Sequence, residues 1–437
     1  MRARNEWILA SSIAIGLFLI YVSAPLYYGS DADYAVPQIV TILQDGNQNL
    51  DEYSHLLGKQ YQLQKIDGHI YDYFPFGTVY LALVPASILT LIYDSNYISL
   101  HRFEFSIILA SILMAIACAF IYRIGRLNAL NRSGATLLAL YAGLGTSILS
   151  TGTRALWQQT GCLFVAFLCL WLFEKWKASR RSAWLIPLGA LLGFGFLVRP
   201  TMLLFALCFG LYFLISERRI GWRILYLALP GLMILAMFVI QSLVLFQSWL
   251  PPYYLAKMPA SHEPLSGLMA LFFSPSRGLF FWHPIFLVSS AALLFLAWNQ
   301  REGIYPYLAL FVSLQIAVLS RFMIYWGGHS LGPRLLAEII PVMLYASIPV
   351  IRKISFTATP IRASAIVFAL ALGFMMHTRA VFVPAVAYWN LGPPDINDAP
   401  ERVWYDSPAV LEGDRNIRAL LKLSPSPAES HPTKESK

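Results

Sequence analysis

Charged residues are scarce in this chain: they make up 13% of its 437 residues, whereas 57% are hydrophobic. Soluble domains carry about 25% charged residues. This scarcity and a mean hydropathy of +0.59 exclude an ordinary soluble domain. Apolar runs recur at the length that crosses the hydrocarbon core, about 17–25 residues. They do not alternate as barrel strands would, so the predicted class is an all-α polytopic membrane protein.

The polar segments lack the motifs of several common protein classes. All four cysteines lie inside apolar runs, which leaves none for a disulfide framework in a loop. No phosphate-binding P-loop, dinucleotide fingerprint or cysteine–histidine metal pattern is present. The net charge of +9 comes from basic residues in short loops between apolar runs. We therefore attribute it to membrane topology and expect no nucleic-acid partner.

Eleven apolar segments are candidate transmembrane helices. They span residues 7–27, 104–122, 133–150, 157–173, 183–198, 201–215, 224–246, 283–298, 304–319, 335–350 and 363–380. A further apolar stretch, residues 76–93, contains Pro85 and has two interpretations. We favour a re-entrant or juxtamembrane pair of half-helices, which is tolerated where protein buries the backbone. The alternative is a twelfth crossing.

Clusters of basic residues predict which side of the membrane each loop faces. They lie at residues 2–4, 123–132, 175–181, 218–223 and 352–362. The positive-inside rule places these loops and the N-terminus in the cytoplasm. Eleven crossings then put the C-terminus outside a plasma (inner) membrane.

The predicted organisation is one transmembrane domain followed by a tail. The domain covers residues 1–380, with a first extracytoplasmic loop at 28–75, and the extracytoplasmic tail covers 381–437. The end of the tail has a disordered composition. The first apolar run resembles a secretory signal, but its length and Pro25 favour a retained helix. The outer loops are long and irregular and the inner ones short, so we expect function on the outer face.

Two aspartates, Asp31 and Asp33, follow directly on the first apolar run. A carboxylate at the membrane surface suits a general base, which needs hydrogen-bond reach to the proton that it removes. The alternative is a solvated loop after a helix, where aspartate is common.

Further polar side chains in the predicted outer loops are candidates for substrate binding. They are His69, Tyr71, Arg154, Arg199, Arg277, His283, His329 and Arg334. An arginine near the bilayer is costly unless it is paired, and its fork of donors suits phosphate. Four arginines on one face therefore suggest a lipid-phosphate site. The alternatives are interfacial anchoring for Arg277 and a structural ion pair between Arg334 and Glu338.

Several segments, in this order along the chain, resemble the GT-C superfamily of glycosyltransferases, which use polyprenyl-phosphate sugars. The segments are Asp31-Ala32-Asp33, Gly68-His69-Ile70-Tyr71 with Pro75-Phe76-Gly77, Leu156-Trp157-Gln158-Gln159, Val198-Arg199-Pro200-Thr201, Ser274-Pro275-Ser276-Arg277-Gly278, and Trp326-Gly327-Gly328 with Gly332-Pro333-Arg334. The first is similar to the superfamily's modified D-x-D motif. The chain looks most like bacterial relatives of protein O-mannosyltransferases and lipid A aminoarabinose transferases.

The resemblance implies a multi-helix membrane glycosyltransferase whose active site lies in the first outer loop, with an acidic residue as base. Family members often carry Asp-Glu where this chain has Asp-Ala-Asp, so either aspartate is a candidate, and we favour Asp31 because it lies next to the helix. The donor would be a polyprenyl-phosphate-linked sugar and the acceptor a lipid, a glycan or a protein. Two aspartates could hold a divalent cation, although nothing in the sequence requires one.

A transporter or flippase of a lipid-linked or anionic solute is the alternative function. Such a protein would carry ionisable residues in the middle of several spans. The predicted spans carry charges mainly at their ends, such as Glu104 and Arg379, which favours the enzyme.

Overall fold

The computed structural model describes residues 2–27, 29–256, 263–353, 360–384, 386, 389–391, 394–405 and 407. The final dozen residues of the chain, for which we expect disorder, lie outside this part. The described part is all-α apart from one hairpin, which confirms the predicted class.

Eighteen helices and two strands follow one another along the described chain. The helices are α1 (Arg2–Ser23), α2 (Ala35–Asp45), α3 (Gly77–Leu89), α4 (Ser95–Leu100), α5 (Arg102–Leu127), α6 (Arg132–Leu144), α7 (Gln158–Ser179), α8 (Leu185–Val198), α9 (Met202–Ile215), α10 (Leu225–Phe246), α11 (Pro252–Leu255), α12 (Pro264–Phe273), α13 (Leu279–Trp282), α14 (Phe286–Asn299), α15 (Tyr305–Leu319), α16 (Ile340–Lys353), α17 (Pro360–Phe382) and α18 (Arg402–Tyr405). Strands β1 (Leu63–Ile66) and β2 (His69–Asp72) form an antiparallel pair in which Leu63 lies opposite Asp72.

Each of the eleven predicted segments overlaps one of these helices. Among the described residues, five helical stretches are long and apolar enough to cross a membrane by length and composition alone. They are Arg4–Ser23, Arg102–Leu127, Arg218–Phe246, Arg334–Lys353 and Ser364–Phe382. The count of eleven crossings therefore stays a prediction.

The apolar stretch at 76–93 contains the short helix α3. Its 13 residues rise about 20 Å at 1.5 Å per residue, less than the hydrocarbon thickness of about 30 Å. A side chain at Gly77 would meet the backbone nitrogen of Val198 at 2.5 Å, so glycine lets the start of α3 approach the end of α8 closely. Whether residues 76–93 cross the membrane fully stays a prediction, since α6 has the same length and is among the predicted crossings.

Small residues bring α8 and α10 together. A Cβ atom at Gly189 would lie 1.9 Å from the carbonyl oxygen of Leu227, and one at Gly193 would lie 2.4 Å from that of Gly231. Close backbone approach at small residues is the usual way in which helices associate within lipid.

One end of the bundle gathers the basic residues that predict a cytoplasmic side. Glu6 near the start of α1 accepts hydrogen bonds from Arg126 and Arg132, at 2.8 and 3.0 Å. At the end of α7, Arg180 donates to Glu217 at 2.9 Å. The long loops that carry the candidate site lie at the other end of α1 and α7.

Candidate active site

The loop after α1 folds into a small unit of its own. A 3₁₀ turn over Ser30–Ala32 precedes α2, and a small buried apolar cluster lies beneath the loop. The cluster consists of Tyr34, Leu50, Leu63 and Ile70. The Leu50 amide donates to the Ile70 carbonyl at 2.7 Å. The hairpin and the 3₁₀ turn are therefore held against each other, which gives the two aspartates a fixed backbone.

Asp31 lies between an arginine and a tyrosine that are distant in sequence. Arg334 donates from Nη2 to Oδ2 of Asp31, and the Tyr61 hydroxyl donates to Oδ1 at 2.6 Å. The side chains of Asp31 and Arg334 are 27% and 11% exposed, so solvent can still reach the pair. Burial alone would raise the pKa of Asp31, but Arg334 and Tyr61 outweigh it and hold this pKa below its usual range. Asp31 is therefore an ionised carboxylate at neutral pH.

Arg334 also stacks on an aromatic ring. Its guanidinium carbon lies 3.6 Å from the ring centroid of Trp157, a cation–π contact. Within the described residues, the Nε of Arg334 and the Nε1 of Trp157 are buried donors without a hydrogen-bond partner. Buried donors are normally paired, so this pair of groups has capacity for an acceptor such as a phosphate oxygen.

Asp33 and Asp72 lie within electrostatic reach of Asp31. The Tyr27 hydroxyl donates to Asp33 at 2.9 Å. Burial raises the pKa of Asp33 to about 6, although the Tyr27 hydrogen bond opposes the rise. Burial, together with the charges of Asp31 and Asp33, raises the pKa of Asp72 to about 8, although the Phe74 amide opposes this. At neutral pH the cluster therefore holds two carboxylates and one carboxylic acid.

Arg199 occupies a buried ion pair beside this cluster. It donates to Glu338, which also accepts from the Thr201 hydroxyl at 2.9 Å and from Gln315. Arg199 is 6% exposed and Glu338 is fully buried. The alternative of an ion pair between Arg334 and Glu338 is therefore not the pairing that the structure has. Glu338 is already saturated by donors from other helices, which leaves Arg334 for Asp31.

Two of the predicted phosphate-binding arginines bond backbone oxygens. Arg154 is fully buried and donates to the carbonyls of Tyr21, Ala24 and Leu26, so it holds the end of α1. Arg277 is 3% exposed and donates mainly to loop carbonyls. The structure therefore brings all four arginines to the same end of the bundle, and among the described contacts Arg334 donates to an aspartate of the first loop.

The predicted histidines have separate environments. His69 lies 2.6 Å from Asp51 on the hairpin, and His329 lies 2.8 Å from Asp395. His283 is fully buried and accepts from the Ser147 amide at 3.1 Å. Their hydrogen bonds therefore go to partners other than Asp31 and Asp33.

Tyr71 packs by its ring edge on Phe246, with ring centroids 5.2 Å apart. It is buried within the apolar core of the bundle. This predicted substrate-binding residue therefore has a packing contact in the structure.

Sequence reasoning missed Tyr61 and Tyr27 and left Trp157 without a role. Trp157 belongs to a segment that resembles the superfamily, so the resemblance of this segment was a signal that could have indicated Trp157 as a site residue. Tyr61 lies in a polar stretch without periodicity, and no sequence signal indicates it.

The two aspartates do not fit a divalent cation in this arrangement. Both oxygens of Asp31 accept hydrogen bonds, one of them from the cation of Arg334. Within the described part of the chain, no three His, Cys, Asp or Glu side chains are close enough to hold a metal ion.

These features define a polytopic α-helical membrane protein with an acid–arginine pair at one end of its bundle. Residues 95–244 match the sequence model of a protein family described as dolichyl-phosphate-mannose-protein mannosyltransferase. This match, over about a third of the chain, confirms the resemblance to GT-C glycosyltransferases. The matched residues include Arg154, Trp157 and Arg199, but the two aspartates of the first loop and Arg334 lie outside them.

The chain is also similar to a solved structure, the oligosaccharyltransferase of Archaeoglobus fulgidus in complex with zinc and sulfate. The two share 14% identity with a TM-score of 0.46 over 92% of this chain. This chain covers 57% of the length of that protein, and a similarity this low supports no conclusion about the site. No curated protein sequence matches the chain.

Proposed function

We propose that the protein transfers a sugar from a polyprenyl-phosphate donor to an acceptor hydroxyl at the extracytoplasmic face of the inner membrane. The acceptor would be a lipid, a glycan or a protein. The observation that carries this proposal is the contact between Asp31 and Arg334, residues that are 303 positions apart in the chain. This contact supports the proposal because it sets a carboxylate suited to proton removal beside a guanidinium suited to phosphate, with both side chains partly exposed.

In the proposed reaction the acceptor hydroxyl attacks the anomeric carbon of the sugar. Its proton passes to the carboxylate of Asp31, and the bond between the anomeric carbon and the phosphate oxygen breaks. The polyprenyl phosphate leaves with the bonding electrons and gains one negative charge. Arg334 stabilises that charge as it develops, which is a larger effect in a site shielded from water. A single displacement of this kind inverts the anomeric centre.

Inversion constrains how Asp31 and Arg334 work together. The attacking oxygen and the departing phosphate lie on opposite faces of the anomeric carbon, so the base and the phosphate-binding group cannot touch during the reaction. Arg334 must therefore move its donors from Asp31 to the phosphate when the donor binds. Loss of this partner makes Asp31 a stronger base at the point where the reaction needs one.

The test is transfer from a labelled polyprenyl-phosphate sugar by the purified protein. Loss of a general base costs about 10²–10⁴-fold, so we expect Asp31→Asn to lower kcat by that factor while the protein still folds. The product should carry the inverted anomeric configuration by NMR. Near-normal turnover in both Asp31→Asn and Asp33→Asn would rule out an aspartate base. Solute uptake without a covalent product would instead favour a transporter.

A further inference from the structure

Arg334 is carried by a loop that a later part of the chain holds in place. We call residues 326–334 the arginine loop, and the described residues 389–391 and 394–405 the C-terminal strap. Arg277 joins the two: its Nε donates to the Trp326 carbonyl at 2.7 Å, and its Nη2 donates to the Asn390 side chain at 2.7 Å. The same Nη2 donates to the Gly328 carbonyl at 3.2 Å. Arg277 and Asn390 are 3% and 2% exposed, so water does not compete for these bonds.

The strap itself is anchored around one tryptophan ring. Trp389 lies between two guanidinium groups, with its ring centroid 5.4 Å from Arg277 and 4.6 Å from Arg402. The Ser276 hydroxyl donates to the Val403 carbonyl at 3.3 Å. Cation–π contacts are stronger when the groups are desolvated, and here the ring is almost fully buried.

Two further contacts join the strap directly to the arginine loop. The indole nitrogen of Trp326 donates to Asn397 at 3.0 Å. His329 lies 2.8 Å from Asp395. The strap therefore contacts the loop at several points along its length, in addition to the bond through Arg277.

The arginine loop needs such support because of its own backbone. Gly327, Gly328 and Gly332 have φ angles of 74°, 67° and 63°, the left-handed region that glycine adopts without strain. Glycine also gives up more conformational freedom than other residues when it becomes ordered. The conformation of a segment with three such positions is determined mainly by the residues that pack against it. The position of Arg334 therefore depends on those neighbouring residues.

We propose that Arg277 and Asn390 are positioning residues, through which the C-terminal strap holds the arginine loop so that Arg334 meets the donor phosphate. Arg277 thus acts through Arg334 and does not itself bind the phosphate, since its donors are used by carbonyl and amide oxygens. This inference rests on the proposed function, because it assigns Arg334 to the phosphate.

The experiment compares how tightly purified variants bind a short polyprenyl phosphate and the matching uncharged polyprenol. Their ratio of dissociation constants isolates recognition of the phosphate. We expect Asn390→Ala to lower this preference about fivefold, the effect of one lost hydrogen bond. Asn390→Asp keeps the acceptor oxygen for Arg277 and should retain the preference. Asn299→Ala, which removes an exposed asparagine on α14, should leave it unchanged, and thermal midpoints check that each variant is folded.

A double-mutant cycle separates positioning from general stability. If Asn390 acts through Arg334, Asn390→Ala should have no further effect on the phosphate preference once Arg334→Gln is present. An equal effect in both backgrounds, or an unchanged preference in folded Asn390→Ala, overturns the positioning role while the phosphate role of Arg334 stands. If Arg334→Gln itself keeps the wild-type preference, the phosphate role in the proposed function fails instead.

Discussion

At the scale of single residues, the site is a carboxylate that two donors hold in its charged form. Tyr61 and Arg334 together occupy both oxygens of Asp31. A carboxylate held in this way is ionised but weakly basic, since every donor that stabilises the anion lowers its affinity for a proton. Asp33 has only Tyr27 as a hydrogen-bond partner among the described residues and keeps a higher pKa, about 6. The two aspartates therefore differ in a property that kinetics can measure.

The pH dependence of transfer should distinguish the two candidate bases. A base is active when ionised, so activity is lost as pH falls through its pKa, and kcat/KM reports the pKa in the free enzyme. With Asp31 as base, kcat/KM should hold below pH 6 and fall only below the usual range of an aspartate. The acid limb of kcat should lie at higher pH, because the bound donor removes Arg334 from Asp31.

The control for this profile is Asp33→Asn. An acid limb of kcat/KM near pH 6 that disappears in Asp33→Asn would assign the base to Asp33 instead. An acid limb near pH 6 that persists in Asp33→Asn would belong to another titrating group. Asp31 would then remain the base only if Asp31→Asn is inactive.

The sequence indicates the types of residue in this site better than their pairing. Asp31 and Arg334 stand out because charges are rare in this chain and both follow apolar or glycine-rich segments. Which acid each arginine meets depends on helices far apart in the chain. Local spacing offers Glu338 as an alternative partner for Arg334, but Glu338 bonds Arg199 across the bundle.

At the scale of helices, hydrophobic runs in the sequence predict well where each helix lies but less well where it begins and ends. The eleven predicted segments each overlap a helix, because an apolar run in a membrane must satisfy its backbone internally. The segment at 133–150 shows the limit. Helix α6 ends at Leu144, and a π-helical turn follows over Ile148–Gly152. This change of helix type depends on tertiary packing, so the hydropathy of the sequence does not predict it.

Packing between α8 and α10 should depend on a single glycine. A methyl group at Gly189 would lie 1.9 Å from the Leu227 carbonyl oxygen, so Gly189→Ala must push the helices apart. Overpacking of this kind costs about 1–3 kcal/mol. We expect a lower thermal midpoint in detergent for this variant.

The matched substitution is Gly210→Ala on α9, where nothing lies within 4 Å of the added atom. It should leave the midpoint unchanged or raise it slightly, since alanine favours helix over glycine. Equal midpoints for the two variants would show that α8 and α10 are not in close contact.

At the scale of the whole molecule, the aspartates and arginines of the candidate site lie at one end of the bundle. The loops rich in basic residues lie at the other end. Helix α7 joins the two ends: it starts beside Trp157, which stacks on Arg334, and it ends at Ser179, beside Arg180. Its 22 residues correspond to about 33 Å, close to the thickness of a bilayer core. The two ends therefore lie far enough apart to face opposite sides of a membrane.

The C-terminal strap is the part of the architecture that sequence reasoning did not resolve. Residues from 381 onward are predicted only as a tail, because their composition has no apolar run that marks a helix. Their described part contacts the arginine loop through Asn397 and Asp395, and it is anchored by the buried Trp389 and Asn390. Such packing depends on single anchoring residues, which a pattern of hydropathy does not show.

Sided labelling of single cysteines tests most directly whether the active site and the basic loops face opposite sides of the membrane. The native cysteines are all buried, so a membrane-impermeant maleimide reports only an introduced thiol. Lys59 lies two residues from Tyr61 and Arg181 lies in a basic loop, and both are exposed. In intact cells Lys59→Cys should be labelled, and Arg181→Cys should be labelled only after permeabilisation. The reverse pattern would place Asp31 in the cytoplasm and contradict this account.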